Sequence, residues 1–287
     1  MPKTITTIEF TPIGGGALRT WGLAGFNIVY HCIYWFFTYL YSIISLYKRK
    51  GVFTNNIGNI KSTQSGFTLA EVLITLGIIG IVSAITIPTL IKNYEKKTTG
   101  TRLHQAFSIF YNALKFAEIE HGDISTWNIE KVAPDAVAWR KEYLEKYLKI
   151  SHYTKTYQKK HPYNFNGTDK LLYPLIYMLS EGVPCLSNGI CFWMCYHPVY
   201  FYIIVDLNGP KNPNKIGHDI FYFNVNWRRD KLKGGLLSGY VYNININSTV
   251  NQIKSACNNT STDYSNGRTC TELIIRNNWV VPDDYPW

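Results

Sequence analysis

From Val72 to Ile91 the sequence runs for twenty residues without a charged side chain. Wound as a helix at about 1.5 Å per residue, that run covers roughly 30 Å, the thickness of a bilayer's hydrocarbon core. A helix buried inside a soluble domain is rarely so long, and Lys92, Lys96 and Lys97 follow at once, as cations do where a span meets the headgroups. Residues 67–91 are therefore expected to cross a membrane. A secretory signal peptide fits less well, because the apolar run is too long and begins too far along the chain.

Apolar residues keep recurring at helical spacing beyond the run, through Leu90, Tyr94, Leu103, Phe107, Phe110 or Tyr111, Leu114 and Ala117 or Glu118, and Gly122-Asp123 supplies a stop. The pattern predicts one helix of about fifty residues whose first half is soluble in lipid and whose second half is amphipathic. Pro88 lies inside it and is expected to kink or loosen it, since proline has no N–H to give the preceding turn. Val137, Trp139, Tyr143, Leu144, Tyr147 and Leu148 predict a second, shorter helix over 135–149, followed by a polar loop. From about Leu175 the chain changes to β-branched and aromatic runs cut by Gly and Asn. The strands expected there are Val199–Leu207, Ile220–Val225, Gly239–Ile246 and Leu273–Ile275. The fold class that follows is α+β, a long amino-terminal helix packed on a small antiparallel sheet. The expected organisation is a leader or extension over 1–66, the helix over 67–121 and a globular head over 122–287.

The stretch from Gly66 to Leu90 opens Gly66-Phe67-Thr68-Leu69-Ala70-Glu71, and it resembles the processing and methylation signature of type IV prepilins and type II secretion pseudopilins. The resemblance implies that a membrane peptidase cuts after Gly66, that the new terminus Phe67 is N-methylated, and that Glu71 and Pro88 are the glutamate and helix proline of the signature. It implies a pilin-like α+β head, with prepilin peptidase and other pilin or pseudopilin subunits as partners. The place it implies is the bacterial inner membrane, crossed once with the head outside the cytoplasm, and then a periplasmic or surface filament. Charge physics supports the role of the glutamate independently. A carboxylate among apolar residues in a bilayer needs a partner, and cleavage creates an equally ill-placed amine on Phe67, so Glu71 of one subunit is expected to neutralise Phe67 of a neighbour.

Leaders in that family are commonly short and basic, whereas 66 residues precede this cut, with a second apolar segment over 21–47. With Lys48-Arg49-Lys50 held in the cytoplasm, a span there would send the second one outward correctly. The alternative, and the expectation adopted, is that residues 1–50 lie upstream of the start used in the cell, because an initiating codon at Val52 leaves a fifteen-residue leader.

The six cysteines, Cys32, Cys185, Cys191, Cys195, Cys257 and Cys270, contain no Cys-x-x-Cys pair of the kind zinc sites use. Outside the cytoplasm disulfides are the natural reading. Cys257 and Cys270 bracket a polar segment, and a bridge closing it is worth about 3 kcal/mol in the chain-entropy model. Cys185 and Cys191 flank a plausible hairpin tip and form the second expected pair. Five cysteines in the mature part leave one unpaired.

The segment from Val205 to Phe221 also resembles a strand–loop–strand of pseudopilin-like proteins. Its oxygen donors Asp206, Asn208, Asn212, Asn214 and Asp219 make calcium the one candidate cofactor, since calcium takes six to eight hard oxygen ligands. The spacing departs from an EF-hand, and a plain hairpin held by Asx turns is the competing reading.

A formal charge of +10 admits nucleic acid as a partner, yet no basic run exceeds Lys48-Arg49-Lys50, and Arg228, Arg229, Lys231 and Lys233 are the nearest approach to a patch in the head. No nucleophile–base set or paired-carboxylate motif is present, so an enzyme is not expected. The function expected is a structural subunit of a type IV pilus or type II secretion filament. The alternative is a binding pilin displayed for DNA uptake or adhesion.

Overall fold

The computed structural model describes residues 68–158, 163, 167, 182–197, 200–241, 244–260 and 267–287. Gly66, Phe67, the apolar segment 21–47, Cys32 and Val52 lie outside the described residues. The chain divides into two units, Met1–Lys92 and Asn93–Trp287, and helix α1, Leu69–His121, passes from the first into the second. Within the first unit α1 leaves Leu76, Ile79, Ile85 and Leu90 exposed. The length and composition of this helix suffice to cross a membrane.

In the second unit α1 buries Leu103, Ala106, Phe110, Ala113, Leu114 and Ala117, a stripe at the three-to-four spacing of one helix face. The stripe lies on a six-stranded antiparallel sheet whose strands stand side by side in chain order. These are β1 Ile150–Thr154, β2 Val183–Leu186, β3 Cys191–His197, β4 Tyr200–Asp206, β5 Ile220–Val225 and β6 Leu237–Ser238. Phe110 meets Phe192 of β3 edge-on at 4.9 Å, and Phe107 meets Phe223 of β5 at 5.6 Å. Helix α2, Val132–Tyr143, adds Trp139 against Phe201 of β4 at 5.0 Å.

Side chains alternate across a sheet, so Trp193 and Tyr222 face away from α1. Tyr157 covers Trp193 at 5.6 Å. The short helices α3, Val250–Ala256, and α4, Cys270–Arg276, complete the head. Because both faces are covered, β5 is buried along its whole length, which explains why its sequence reads as a continuous apolar run instead of an alternating one.

Four expectations need correction. Residues 135–149 are not one helix, since α2 stops at Tyr143 and a 3₁₀ turn, Glu145–Tyr147, leads to an extended Leu148 and on into β1. The polar loop expected after it begins with β1, whose exposed middle residues His152 and Tyr153 hide any alternation. The described residues of Gly239–Ile246, 239–241 and 244–246, form no strand. Their backbone is engaged elsewhere: the Gly239 N–H donates to Glu272 Oε2 at 3.2 Å, and the Ile246 N–H donates to the carbonyl of Leu232. Arg276 holds the following loop through the carbonyl of Asn245 at 3.0 Å. Leu273–Ile275 belongs to α4. A short apolar triplet has no periodicity of its own to distinguish strand from helix, and here burial of Cys270, Leu273 and Ile274 together selects the helical spacing.

Gly100 fixes how closely the carboxyl-terminal segment approaches α1. A Cβ at this position would stand 2.1 Å from the carbonyl oxygen of Trp279. In an open helix Gly→Ala gains about 1 kcal/mol. Here Gly100→Ala is expected to destabilise by about 1–3 kcal/mol, the cost of forced backbone displacement. Thermal melting of the detergent-solubilised chain checks this against Gly80→Ala, where nothing stands within 4 Å of the added methyl and no loss is expected.

Candidate functional site

The amino-terminal end of α1 is organised by Thr68 and Glu71. Glu71 Oε2 accepts from the Thr68 N–H at 2.8 Å and from its hydroxyl at 2.9 Å, while Thr68 Oγ1 accepts from the Glu71 N–H at 3.2 Å. This is a reciprocal capping box, two otherwise idle N–H groups each satisfied by the other residue's side chain. The Thr-x-x-Glu spacing at 68–71 signals it in the sequence, and the role of Thr68 was not anticipated there. Along the apolar run the hydroxyls of Thr75 and Thr86 donate to the carbonyls of Val72 and Val82, each at 2.9 Å, so they present no unmet donor to lipid. The helix continues through Pro88.

The five proposed oxygen donors occupy the turn between β4 and β5. Asp206 and Asp219 are buried. Asp206 Oδ2 accepts from the Tyr157 hydroxyl, and Asp206 Oδ1 accepts from the Asn208 N–H at 3.1 Å. Asp219 accepts from the N–H groups of Asn214 at 2.9 Å and Lys215 at 2.6 Å. Burial and the charge of Asp219 push the Asp206 carboxyl well above its ordinary range, and burial pushes Asp219 up to about 6. Burial takes the neighbouring His218 down to about 4. Asn214 is buried with its Oδ1 unpartnered, and so is the Oδ1 of Asn208. Asn212 is exposed and contributes its carbonyl to the Asn208 amide at 3.4 Å. Tyr157 had no signal in the sequence, because it reaches Asp206 from 49 positions away. Among the described residues no three His, Cys, Asp or Glu side chains are grouped to hold a metal ion.

Disulfides join Cys185 to Cys191 and Cys257 to Cys270. The first links neighbouring strands at the β2–β3 turn, and the second ties the end of α3 to the start of α4. Cys195 is a free thiol, and burial raises its pKa.

The two arginines of the basic loop are engaged. Arg229 donates to Asp123 Oδ2 from Nη2 at 2.7 Å and from Nε at 3.2 Å, and Nη2 also reaches Glu118. Arg228 lies over the Trp227 ring at 4.6 Å.

A family model described as a family of unknown function (DUF6613) matches residues 89–287, more than half of the chain. The chain belongs to that family. The prokaryotic N-terminal methylation motif matches residues 61–87. This family member is also similar to the prepilin peptidase-dependent protein D of Escherichia coli (strain K12), at 41% identity over 63 residues. That alignment covers 22% of this chain and 42% of the relative. No solved structure matches the chain. Motif and relative together give the amino-terminal part of the chain a likeness to type IV pilins and pseudopilins.

The hydrogen bonds from Arg229, followed by those from Ser125, hold the Asp123 carboxyl well below the usual carboxylate range. A depressed acid contributes stability that is present above its unfolded value near 4 and is lost as pH falls toward the folded value. Arg229→Gln is accordingly expected to lower the melting temperature at pH 7 by a small margin, as for an exposed pair. The gap to the parent should close progressively between pH 4 and pH 2, which parallel melts of both proteins will show.

Proposed function

We propose that this chain is a prepilin, cut after Gly66, methylated on Phe67 and built through α1 into a filament of the type IV pilus or type II secretion kind. The observation that carries the reading is the conjunction of the methylation motif over 61–87 with a helix whose apolar first half stands uncovered. Those side chains need lipid before assembly and other helices after it. The disulfides of the head suit an oxidising compartment outside the cytoplasm. Display for binding DNA draws less support, because Arg229 is consumed by Asp123 and Glu118. In the filament the Phe67 amine of a neighbour takes over the Glu71 carboxylate that Thr68 holds in the single chain.

Amino-terminal sequencing and intact mass should return a methylated Phe67 as the first residue. In the same cells Glu71→Val should insert into the membrane as the parent does, since a charge is removed from lipid. Its recovery in sheared filaments should fall severalfold. Assembly at the parental level would remove the pairing role from Glu71.

We further propose that the turn between β4 and β5 binds calcium weakly. Two buried carboxylates there make no ion pair among the described residues, and two amide oxygens beside them in the turn are unpartnered. A divalent cation would relieve the burial that raises both acids and the like charge of Asp219 that raises Asp206 further. With dissociation constants of about 0.1–1 mM, typical of weak extracellular modules, calcium at ten times that level adds about 1.4 kcal/mol to the folded state. Melting in calcium and in chelator should show this rise. An equal rise in an Asp206→Ala, Asp219→Ala double variant would leave the turn as a plain hairpin.

A further inference from the structure

Beyond α4 the chain turns back along α1. Asn278 and Trp279 both adopt positive φ, 53° and 64°, a conformation that costs non-glycine residues energy. The turn sets the Trp279 ring on His104, with centroids 4.5 Å apart. Between this segment and the helix lies a cleft of about 660 Å³, lined by residues that include Asn93, Lys96, Lys97, Thr101 and Asp283. Lys96 is only 9% exposed. Its ammonium donates to the carbonyls of Pro282 at 3.0 Å and Asp283 at 2.9 Å, and among the described residues it makes no ion pair. The two carbonyls take two of its three protons and are neutral, while the Lys96 charge also helps to hold down the Asp284 carboxyl, and Asp283 itself lines the cleft. Asp284, the next acid along, is engaged by Lys254 at 2.7 Å. Lys97 stands exposed beside Lys96 at the cleft.

Chain spacing says which anion is at hand. Lys96 is five residues past Ile91, the end of the charge-free run, which is about 7.5 Å of helix and within a headgroup layer that extends about 5–8 Å beyond the hydrocarbon core, and Lys97, one residue further, reaches back into that layer along its flexible stem. Lysine with an aromatic residue is the usual furnishing of that depth, and here the exposed Tyr94, three residues past Ile91, supplies the aromatic part. We infer that this cleft seats the phosphate of an anionic phospholipid, with Lys96 and Lys97 meeting its oxygens while the chain waits in the membrane. The inference rests on α1's apolar half being embedded in lipid.

The test uses the full chain, with Lys96 left intact because it also holds the carboxyl-terminal segment. Flotation with neutral phosphatidylcholine vesicles reads embedding alone, and failure to float overturns the reading of α1. Native mass spectrometry of the detergent-solubilised chain then compares retention of phosphatidylglycerol with that of phosphatidylcholine. Phosphatidylglycerol should be retained in preference, and Lys97→Gln should lower its occupancy about fivefold, as one lysine near a charged headgroup does. Retention of phosphatidylcholine, and flotation, should not change. Lys115→Gln, at an exposed lysine paired with Glu118, should retain phosphatidylglycerol as the parent does. Equal retention of the two lipids, equal loss in both lysine variants, or full competition by free glycerol phosphate would each overturn the cleft as a lipid site while leaving the embedding of α1 intact.

Discussion

The head depends on one seam, the stripe from Leu103 to Ala117 pressed on the sheet. Small residues, Ala106, Ala113 and Ala117, alternate along it with Leu103, Phe110 and Leu114, and all six are buried. The alanines let the helix come close, and the large side chains fill the space between strands at interior density. Phe107 and Phe110 reach β5 and β3, the strands on either side of β4. Truncating an aromatic of this size in such a place costs about 3–5 kcal/mol, a large share of the total stability of a single domain. Arg102 extends the same contact polarly by donating to the Asn188 carbonyl in the β2–β3 turn at 2.9 Å. The strand order, the α2 packing and the return of the carboxyl terminus are all arranged around this helix.

How much of this was legible depends on the range of the interactions that decide each part. Periodicity within one helix is local, so the pattern from Leu90 to Leu114 and the stop near Gly122 located α1, and the uncharged run located the apolar half. Tyr200–Asp206 and Ile220–Val225 were legible because a strand buried on both faces reads as a plain apolar run. The 239–246 segment misled for a non-local reason. Its alternation suits a strand, but Glu272 and Arg276, held on α4 and distant in sequence, capture its backbone groups. β1 escaped notice because exposure of its middle residues removes the contrast that a pattern needs. At the candidate sites Thr68 was within reach of a spacing rule, while Tyr157 and Trp279 become partners of Asp206 and His104 only through the tertiary fold.

Buried charge is handled differently in different parts of the head. Glu272 is met by Arg276 at 2.9 Å, and although burial raises its pKa, that partner and the Gly239 N–H draw it back down. Asp206 and Asp219 receive hydrogen bonds but make no ion pair among the described residues, and their carboxyls rise. Lys96 donates to two carbonyls and acts on Asp284 without pairing with it. A buried ion held mainly by neutral partners is expensive, so these two places are where an external ion or headgroup has most to gain by arriving. No such gain is on offer at Arg229, whose charge is already met within the chain.

Gly100 and the carbonyl of Trp279 have a mechanical consequence. In the filament proposed for this chain, a pull on α1 would reach the head first along the stretch of helix that holds Gly100. The direct backbone contact at Gly100, the Lys96 bonds to Pro282 and Asp283 and the His104–Trp279 stack all lie within that first stretch. All three join the same carboxyl-terminal segment to the first turns of α1 within the head, so that segment acts as a strap there. Its end is anchored in turn where Trp287 packs against His218 and Tyr285.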